Sequence, residues 1–320
     1  MKAAVYRRYG APELVKIEAV DKPVPADHEI LLKIHATAVN SADSRLRRAD
    51  PFAVRFVFGL FRPRKPILGG VLSGVVEAVG KNVTKYRVGD ALFGATAMVM
   101  GAHAEYLCLP ESGALAHKPD NLSHEEAAAL PFGGMTALYF LRKAGVQSGQ
   151  KVLIYGASGA VGIAAVQIAR SMGAHVTAVC STGNVDWVAS LGADEVIDYT
   201  RTNLSTFGPR FDVLYETVNK LPVTDGVTIL RPGGKLILGA ALLKEMLAGG
   251  WHTLFSGKKM IAGVAAETAE AAGFLADLAE TGRIKAAIGR VFSFEQIAEA
   301  HAWTDGGHKR GNAVIRVCGP

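Results

Sequence analysis

The sequence predicts an α/β chain of two domains: a small, mostly antiparallel barrel and a doubly wound parallel sheet. Up to about residue 120, short β-like runs are broken by Gly, Pro and Asp. From Lys151 to about Val264, strand-like runs alternate with helical ones, the order that yields parallel strands joined by crossover helices. The final run, Ala313-Val-Ile-Arg-Val317, is a strand that needs a sheet to join, and the N-terminal barrel is its natural host. A length of 320 residues, at about 100 to 200 residues per domain, fits two domains.

In the barrel, Glu29 to Val39 and Val71 to Val79 are the clearest strands. Ser123-His-Glu-Glu126 has the form of a capping box, in which the Ser hydroxyl and the Glu carboxylate satisfy each other's orphan backbone donors, so a helix starts there. The parallel strands are Lys151 to Tyr155, His175 to Cys180, Glu195 to Ile197, Asp212 to Glu216, Lys235 to Leu238 and Lys258 to Val264. Together they complete a six-stranded sheet. A helix follows around Thr268 to Thr281, then a second capping box at Ser293-Phe-Glu-Gln296. The expected division is 1–121 with 265–320 as one domain and 122–264 as the other.

Composition narrows the functional classes. With 49% hydrophobic and 20% charged residues the chain is not disordered, and no apolar run reaches the roughly 18 residues a bilayer requires. The start, Met1 to Tyr6 followed by Arg7 and Arg8, has no long apolar stretch that marks secretion, so the cytoplasm is the expected location. Cys108, Cys180 and Cys318 lie far apart, fit no disulfide framework or metal knuckle, and read as reduced thiols. The net charge of +6 is concentrated in one place: Arg45, Arg47, Arg48, Arg55, Arg62, Arg64 and Lys65 against Asp50 account for it.

The strongest local signal runs from Lys151 to Ala169: a buried strand, a turn with Gly156, Gly159 and Gly162, and an apolar helix. Small residues there, including Ala157, Ser158, Ala160 and Val161, let the backbone turn tightly and approach a pyrophosphate, while the helix start presents oriented N–H donors. This predicts a dinucleotide cofactor. At the end of the next strand an NAD enzyme usually places a carboxylate on the ribose hydroxyls, but here the turn is Cys180-Ser-Thr-Gly-Asn184. With no carboxylate between His175 and Val185, and with the hydroxyls of Ser181 and Thr182 able to donate to a 2′-phosphate, NADP(H) is favoured over NAD(H).

Motifs along the whole chain add a resemblance. They are Met1-Lys-Ala-Ala-Val, Val39-Asn-Ser-Ala-Asp43, Gly69 to Gly80, Val88 to Gly94, Gly101 to Tyr106, Ala128 to Ala137, the glycine turn, Leu191-Gly-Ala-Asp194 and Gly307-His-Lys-Arg-Gly311. In these the chain resembles the medium-chain dehydrogenase/reductase superfamily, in its zinc-independent quinone oxidoreductase branch. The resemblance implies a GroES-like β-barrel built from both ends of the chain, a Rossmann domain between them, an active site in the cleft, and a homodimer that pairs the strand near Lys258 to Val264 with its copy. It also implies cofactor contacts at Thr136, Tyr199, Val218, Gly239, Ala240 and Asn312.

The zinc-dependent members of that superfamily carry a Cys early in the barrel and a His-Glu pair in the glycine motif. Asn40 and Gly70-Val71 stand there instead, and they do not supply the three donors a catalytic zinc requires, so no zinc is expected. Without a Lewis acid, an acceptor that delocalises charge by itself, a quinone or an α,β-unsaturated carbonyl, is the expected substrate. Asn40 is the candidate donor to the substrate oxygen and Asp43 the residue that organises the site; as a pair they also read as a strand-end Asx turn. No proton donor stands out, since Arg45 occupies a place where related enzymes often have Tyr. The alternatives are an NADPH-binding sensor or interaction module without turnover and an alcohol or aldehyde dehydrogenase-type activity.

Between Arg45 and Lys65, Phe52, Phe56, Phe58 and Phe61 interleave with the basic residues. The segment reads foremost as a lid over the substrate, next as a solvated connection, and least as a membrane-surface patch or a nucleic-acid contact. The expected partners are a small-molecule acceptor and a second copy of the chain, with no nucleic acid and no membrane insertion.

Overall fold

The structure is a computed structural model and describes residues 1–239, 257–307 and 310–318. The chain divides into two compact units, one of Met1–Phe132, Glu267–Gly282 and Ala286–Pro320, the other of Gly133–Ala266 and Arg283–Lys285.

The first unit opens with an antiparallel pair, β1 (Lys2–Val5) and β2 (Lys16–Ala19). The long β3 (Glu29–Val39) is followed by two short helices, α1 (Ser41–Arg48) and α2 (Val54–Phe58), and then by β4 (Val71–Val79), β5 (Ala91–Ala95), β6 (Tyr106–Pro110) and β7 (Ala114–His117). Residues 29–33 of β3 pair with β6, and both its halves pair with β4 through two register shifts. Such bulges bend a strand and let one sheet turn a corner. Ile30, Leu32, Ile34, Leu72 and Leu92 lie under the bend with no measurable exposure. The helix α3 (His124–Ala129) begins at the expected capping box, with Ser123 Oγ accepting the Glu126 N–H at 3.1 Å and Glu126 Oε2 accepting the Ser123 N–H at 2.8 Å. It belongs to the first unit, where Ala128 and Ala129 pack with Ala36 and Val314.

The second unit takes up most of α4 (Pro131–Ala144) and is built on β8 (Lys151–Tyr155), α5 (Ala160–Ser171), β9 (His175–Cys180), α6 (Val185–Ser190), β10 (Glu195–Asp198), β11 (Phe211–Glu216), α7 (Val223–Thr228), β12 (Leu230–Leu238) and β13 (Lys259–Ala262). All pairings are parallel, in the order β10-β9-β8-β11-β12-β13, which is the doubly wound order expected. Val152, Leu153 and Ile154 of the central β8 are fully buried, as a strand covered on both faces requires. β12 starts at Leu230, five residues before the expected Lys235, and takes up the Pro232-Gly-Gly234 turn through a register shift against β11.

The chain then returns to the first unit through α8 (Ala269–Glu280), β14 (Ile288–Ser293), α9 (Ile297–Asp305) and β15 (Asn312–Arg316). β15 joins β3 antiparallel, so the barrel is the host of the last strand. It does not join alone, because β14 pairs with it in parallel; the sequence reading missed β14, whose exposed Gly289, Arg290 and Val291 dilute the apolar alternation. The second capping box is present at Ser293 and Gln296. No described helix is long and apolar enough to cross a membrane. Among the described residues the three cysteines are free, and burial pushes the Cys108 and Cys180 thiols up to about 11.

Candidate active site

In the first unit the candidate site lies where β3 hands over to α1. Asn40 caps the helix: its Oδ1 accepts the N–H groups of Ala42 at 2.8 Å and Asp43 at 3.1 Å. Asp43 replies through Oδ2, which accepts the Asn40 N–H at 3.0 Å, while its Oδ1 accepts the Gly69 N–H at 3.1 Å. Asp43 is fully buried and Asn40 is 2% exposed. Because the amide oxygen is committed to backbone donors, the network fixes which way the amide points, and its NH₂ remains as a donor. The Asx-turn reading and the donor reading of Asn40 therefore describe one geometry.

The glycine pair beside it is required for different reasons. Gly69 has φ +106°, and a Cβ there would lie 2.5 Å from the His103 nitrogen. Gly70 leaves space: among the described residues the only atom within 4 Å of its missing Cβ is Asn40 Nδ2 at 3.6 Å. Thr96 ties the next strand end to both, donating its N–H to Gly70 O at 2.9 Å and its hydroxyl to Gly69 O at 3.1 Å.

Below the site, the fully buried Arg47 of α1 donates to Gly10 O and to the Asp305 carboxylate of α9. His103 and His301, both fully buried, meet edge to face at 5.5 Å, and burial holds both below the usual histidine range, so they are neutral. Removing Asp305 would leave the charge of the fully buried Arg47 without its partner, which typically costs about 3–5 kcal/mol. Among the described residues no three His, Cys, Asp or Glu side chains converge to hold a metal ion.

A residue that the sequence reading missed is Glu267, in the connection between β13 and α8. Its half-buried carboxyl faces the Ala97 backbone and the charge of Asp43, and burial pushes it up to about 7. Its signal in the sequence is one acidic residue directly before the Thr268 cap of α8. The basic aromatic segment is anchored to this unit by Tyr9, whose hydroxyl donates to Gly59 O at 2.7 Å and whose ring lies 4.8 Å from the Arg55 guanidinium. Its Phe56 and Phe61 rings are 68% and 88% exposed. Asn312 is also in this unit, and its amide donates to Ala287 O at 3.0 Å, bridging β15 to the residues before β14.

In the second unit the glycine turn has the shape an anion needs. Gly156 has φ +82°, and a Cβ there would press within 2.7 Å of Thr217 Oγ1 and Val218 Cγ1. Gly162 lets the helix start against the turn, since a Cβ would meet Gly156 O at 2.2 Å. Gly159 caps α5 without a side chain, so its own chain gives the first-turn N–H groups of Ala160, Val161 and Gly162 no side-chain cap, and Ser158 and Ala157 complete the turn. Donors and a positive dipole end thus point at one spot, and the residues fit a pyrophosphate. Thr136 lies three residues along α4 from Gly133, whose Cβ position is 2.2 Å from Ala160 O. The Gly239 N–H, at the end of β12, donates to Glu216 O at 2.8 Å. Glu216, buried at the end of β11, gathers the N–H groups of Val218, Asn219 and Lys220 at 3.2, 2.6 and 3.1 Å and so shapes the turn that carries Val218. Ala240 lies outside the described residues.

At the end of β9 the structure corrects one expectation. Thr182 does not present a spare hydroxyl proton: Oγ1 donates to Asp198 Oδ2 at 2.6 Å and meets Thr200 Oγ1 at 2.9 Å. The parallel register that sets Asp198 opposite Cys180 brings this carboxylate to the turn. Ser181 Oγ accepts from Asn184 Nδ2 at 3.0 Å and keeps its own proton to donate. Arg201, Lys220 and Asp225 line a pocket of about 440 Å³ with Tyr155, Tyr199 and Asn203, and Arg201 Nε lies 3.6 Å from Asp198.

Comparisons with known proteins agree with this fold. Residues 26–120 match the alcohol dehydrogenase GroES-like domain and residues 191–315 the zinc-binding dehydrogenase family. The chain is 32% identical to 2-methylene-furan-3-one reductase of Solanum lycopersicum, over 98% of this chain and 79% of that protein. It is 29% identical to quinone oxidoreductase of Homo sapiens, over 94% and 93%. The quinone oxidoreductase structure from Coxiella burnetii superposes with a TM-score of 0.89 at 25% identity, covering 99% of both chains.

Proposed function

The chain belongs to the medium-chain dehydrogenase/reductase superfamily, in its zinc-independent quinone oxidoreductase-like branch, and is an NAD(P)H-dependent oxidoreductase; from that premise we propose that it reduces quinones or α,β-unsaturated carbonyls with NADPH and without zinc. The observation that carries the reading is Asn40: its oxygen is used up by the helix cap, and its NH₂ lies beside a glycine where a metal ligand would otherwise stand. A bound reduced nicotinamide supplies hydride to an electron-poor carbon. The chain's own residues supply the rest. Asn40 donates to the acceptor oxygen as charge develops there, and Asp43 holds Asn40 and Gly69 in place for that purpose.

In this reading the glycine turn from Gly156 to Gly162 takes the pyrophosphate, and Thr136, Val218 and Gly239 flank the nicotinamide side. Ser181 donates to the 2′-phosphate, and Tyr199, Arg201 and Lys220 form the adenosine end. The relatives' names favour the same acceptors, since a 2-methylene-furan-3-one is itself an α,β-unsaturated ketone. The first unit is then the catalytic domain, the second the cofactor domain, and two chains pair through β13, the edge strand of the second sheet. NADPH consumption, followed at the nicotinamide absorbance with quinones, enones, aldehydes and alcohols, tests the proposal. Turnover of quinones or enones is expected. Tight NADPH binding with turnover of none would favour a sensor module, and turnover of alcohols alone would favour a dehydrogenase.

A further inference from the structure

Independently of the reaction, we propose that the basic aromatic segment, residues 45–65, docks the first unit onto a membrane surface rich in anionic phospholipid. The segment carries seven basic residues against Asp50, the concentration of charge on which the net +6 rests. From the sequence it reads foremost as a lid. In the structure its apolar side chains do not rest on the body of the first unit: Phe52, Phe56, Val57, Leu60 and Phe61 are all exposed. A single exposed apolar side chain is ordinary, but five within residues 52–61 gather into a patch, and such patches mark interaction surfaces.

The fold holds this patch in place. Phe52 and Phe56, four residues apart across the start of α2, meet edge to face with ring centroids 6.0 Å apart. After α2 the chain makes a tight loop, closed by the Arg64 N–H donating to Phe58 O at 2.8 Å. Gly59 makes the loop possible, since its φ is +124° and a Cβ there would lie 2.1 Å from Arg62 O. Leu60, Phe61 and Arg62 form the tip. The base is tied down by the Tyr9 hydroxyl on Gly59 O and by the Arg55 guanidinium, 4.8 Å from the Tyr9 ring and 5.2 Å from the Phe52 ring. At the far end Lys65 donates to the Met98 and Val99 carbonyls, which sets two more exposed apolar side chains beside the loop.

Charge decides the occupant. Arg48, Arg62, Arg64 and Lys65 are exposed, and among the described residues none of the four forms an ion pair. Apolar side chains flanked by unneutralised cations match a leaflet of anionic phospholipid, whose phosphates meet the cations while the acyl boundary takes the rings. Interfacial elements bury their apolar face only about 5–10 Å deep, so a loop tip and a short helix suffice for reversible docking. Single-stranded nucleic acid fits less well, because bases stack on open ring faces. Here Phe52 and Phe56 meet edge to face, Arg55 lies over Phe52, and Val57 and Leu60 offer no ring at all. An acidic protein would use the cations and leave the apolar centre uncovered.

Co-sedimentation of the full chain with phosphatidylcholine vesicles, with and without phosphatidylglycerol, tests the proposal. Wild type should partition at least about tenfold more strongly onto the anionic vesicles, and added salt should release it. Phe56→Ser with Phe61→Ser, and separately Arg62→Glu with Arg64→Glu, should each cut that partition by about tenfold or more with an unchanged melting temperature, since the four side chains are exposed. Lys81→Glu with Lys85→Glu makes the same change in net charge at another exposed place and should leave binding within about twofold of wild type. The added tryptophan of Phe61→Trp should be quenched by brominated acyl chains. Binding that ignores phosphatidylglycerol, that survives both patch variants, or that the Lys81 and Lys85 changes weaken as much, overturns the proposal. So does binding of single-stranded DNA but not of vesicles, or a Phe56→Ser and Phe61→Ser variant that changes KM for a water-soluble quinone while vesicle binding stays intact, the result a lid would give.

Discussion

Asn40 and Asp43 hold each other reciprocally: the Asp43 carboxylate accepts the Asn40 N–H at 3.0 Å, and the Asn40 amide oxygen accepts the Asp43 N–H at 3.1 Å. The pair closes the first turn of α1 and turns the amide NH₂ toward Gly70. Two substitutions separate these roles. Asn40→Ser keeps a good cap but removes the amide donor, whereas Asn40→Ala removes both. We expect both to lower kcat at least tenfold, since a hydrogen bond to developing charge is worth roughly 1.5–3 kcal/mol. Only Asn40→Ala should also lose about 1 kcal/mol in urea unfolding. Unchanged kcat in both, with stability lost only in Asn40→Ala, would mean the residue is a cap and nothing more.

Gly162→Ala places a methyl group 2.2 Å from Gly156 O, where nothing flexible can give way. The turn must shift, at a cost of roughly 1–3 kcal/mol, and the N–H donors at the start of α5 shift with it. NADPH affinity by fluorescence titration should fall tenfold or more. Gly183→Ala is the control: its Cβ position has no neighbour within 4 Å among the described residues, and both affinity and melting temperature should stay as in wild type.

Cofactor choice turns on Ser181. Replacing it by Asp sets a carboxylate beside the turn already approached by Asp198; at about 4 Å and an effective dielectric near 20, like charges repel by on the order of 4 kcal/mol before screening. Ribose hydroxyls of NADH can donate to that carboxylate, but a 2′-phosphate cannot. The NADPH-to-NADH ratio of kcat/KM should therefore drop at least tenfold in Ser181→Asp. An unchanged ratio in a folded variant would remove Ser181 from the 2′ position.

Among the described residues β13 has one neighbour, β12, and its Met260-Ile-Ala262 run is apolar and half-buried. Pairing with a second copy would satisfy its unpaired backbone groups. Light scattering should give the mass of two chains across a dilution series, and Ile261→Pro should shift it toward one. A single-chain mass in wild type at all concentrations would contradict the pairing.

How much of this the sequence disclosed depended on range. Local patterns were legible: both capping boxes, the glycine turn and the parallel run from β8 to β13 stand at or near the positions read from periodicity. What was hidden came from pairing between distant segments. Asp198 reaches Thr182 across 16 residues because two parallel strands set their ends side by side, and a reading of the 175–185 turn alone could not contain that carboxylate. Glu267 meets Asp43 and Ala97 only once the chain has returned to the first unit. β14 escaped because its exposed middle residues broke the alternation that marks a half-buried strand.

The central claim, reduction without a metal, is tested most directly by the rate of NADPH oxidation with one quinone and one enone before and after exhaustive removal of divalent metals by chelation and gel filtration. The donor set around Asn40 and Gly70 predicts equal rates in the two samples, with no gain when zinc is added back. Loss of the quinone and enone activity on chelation, restored by zinc, would contradict it.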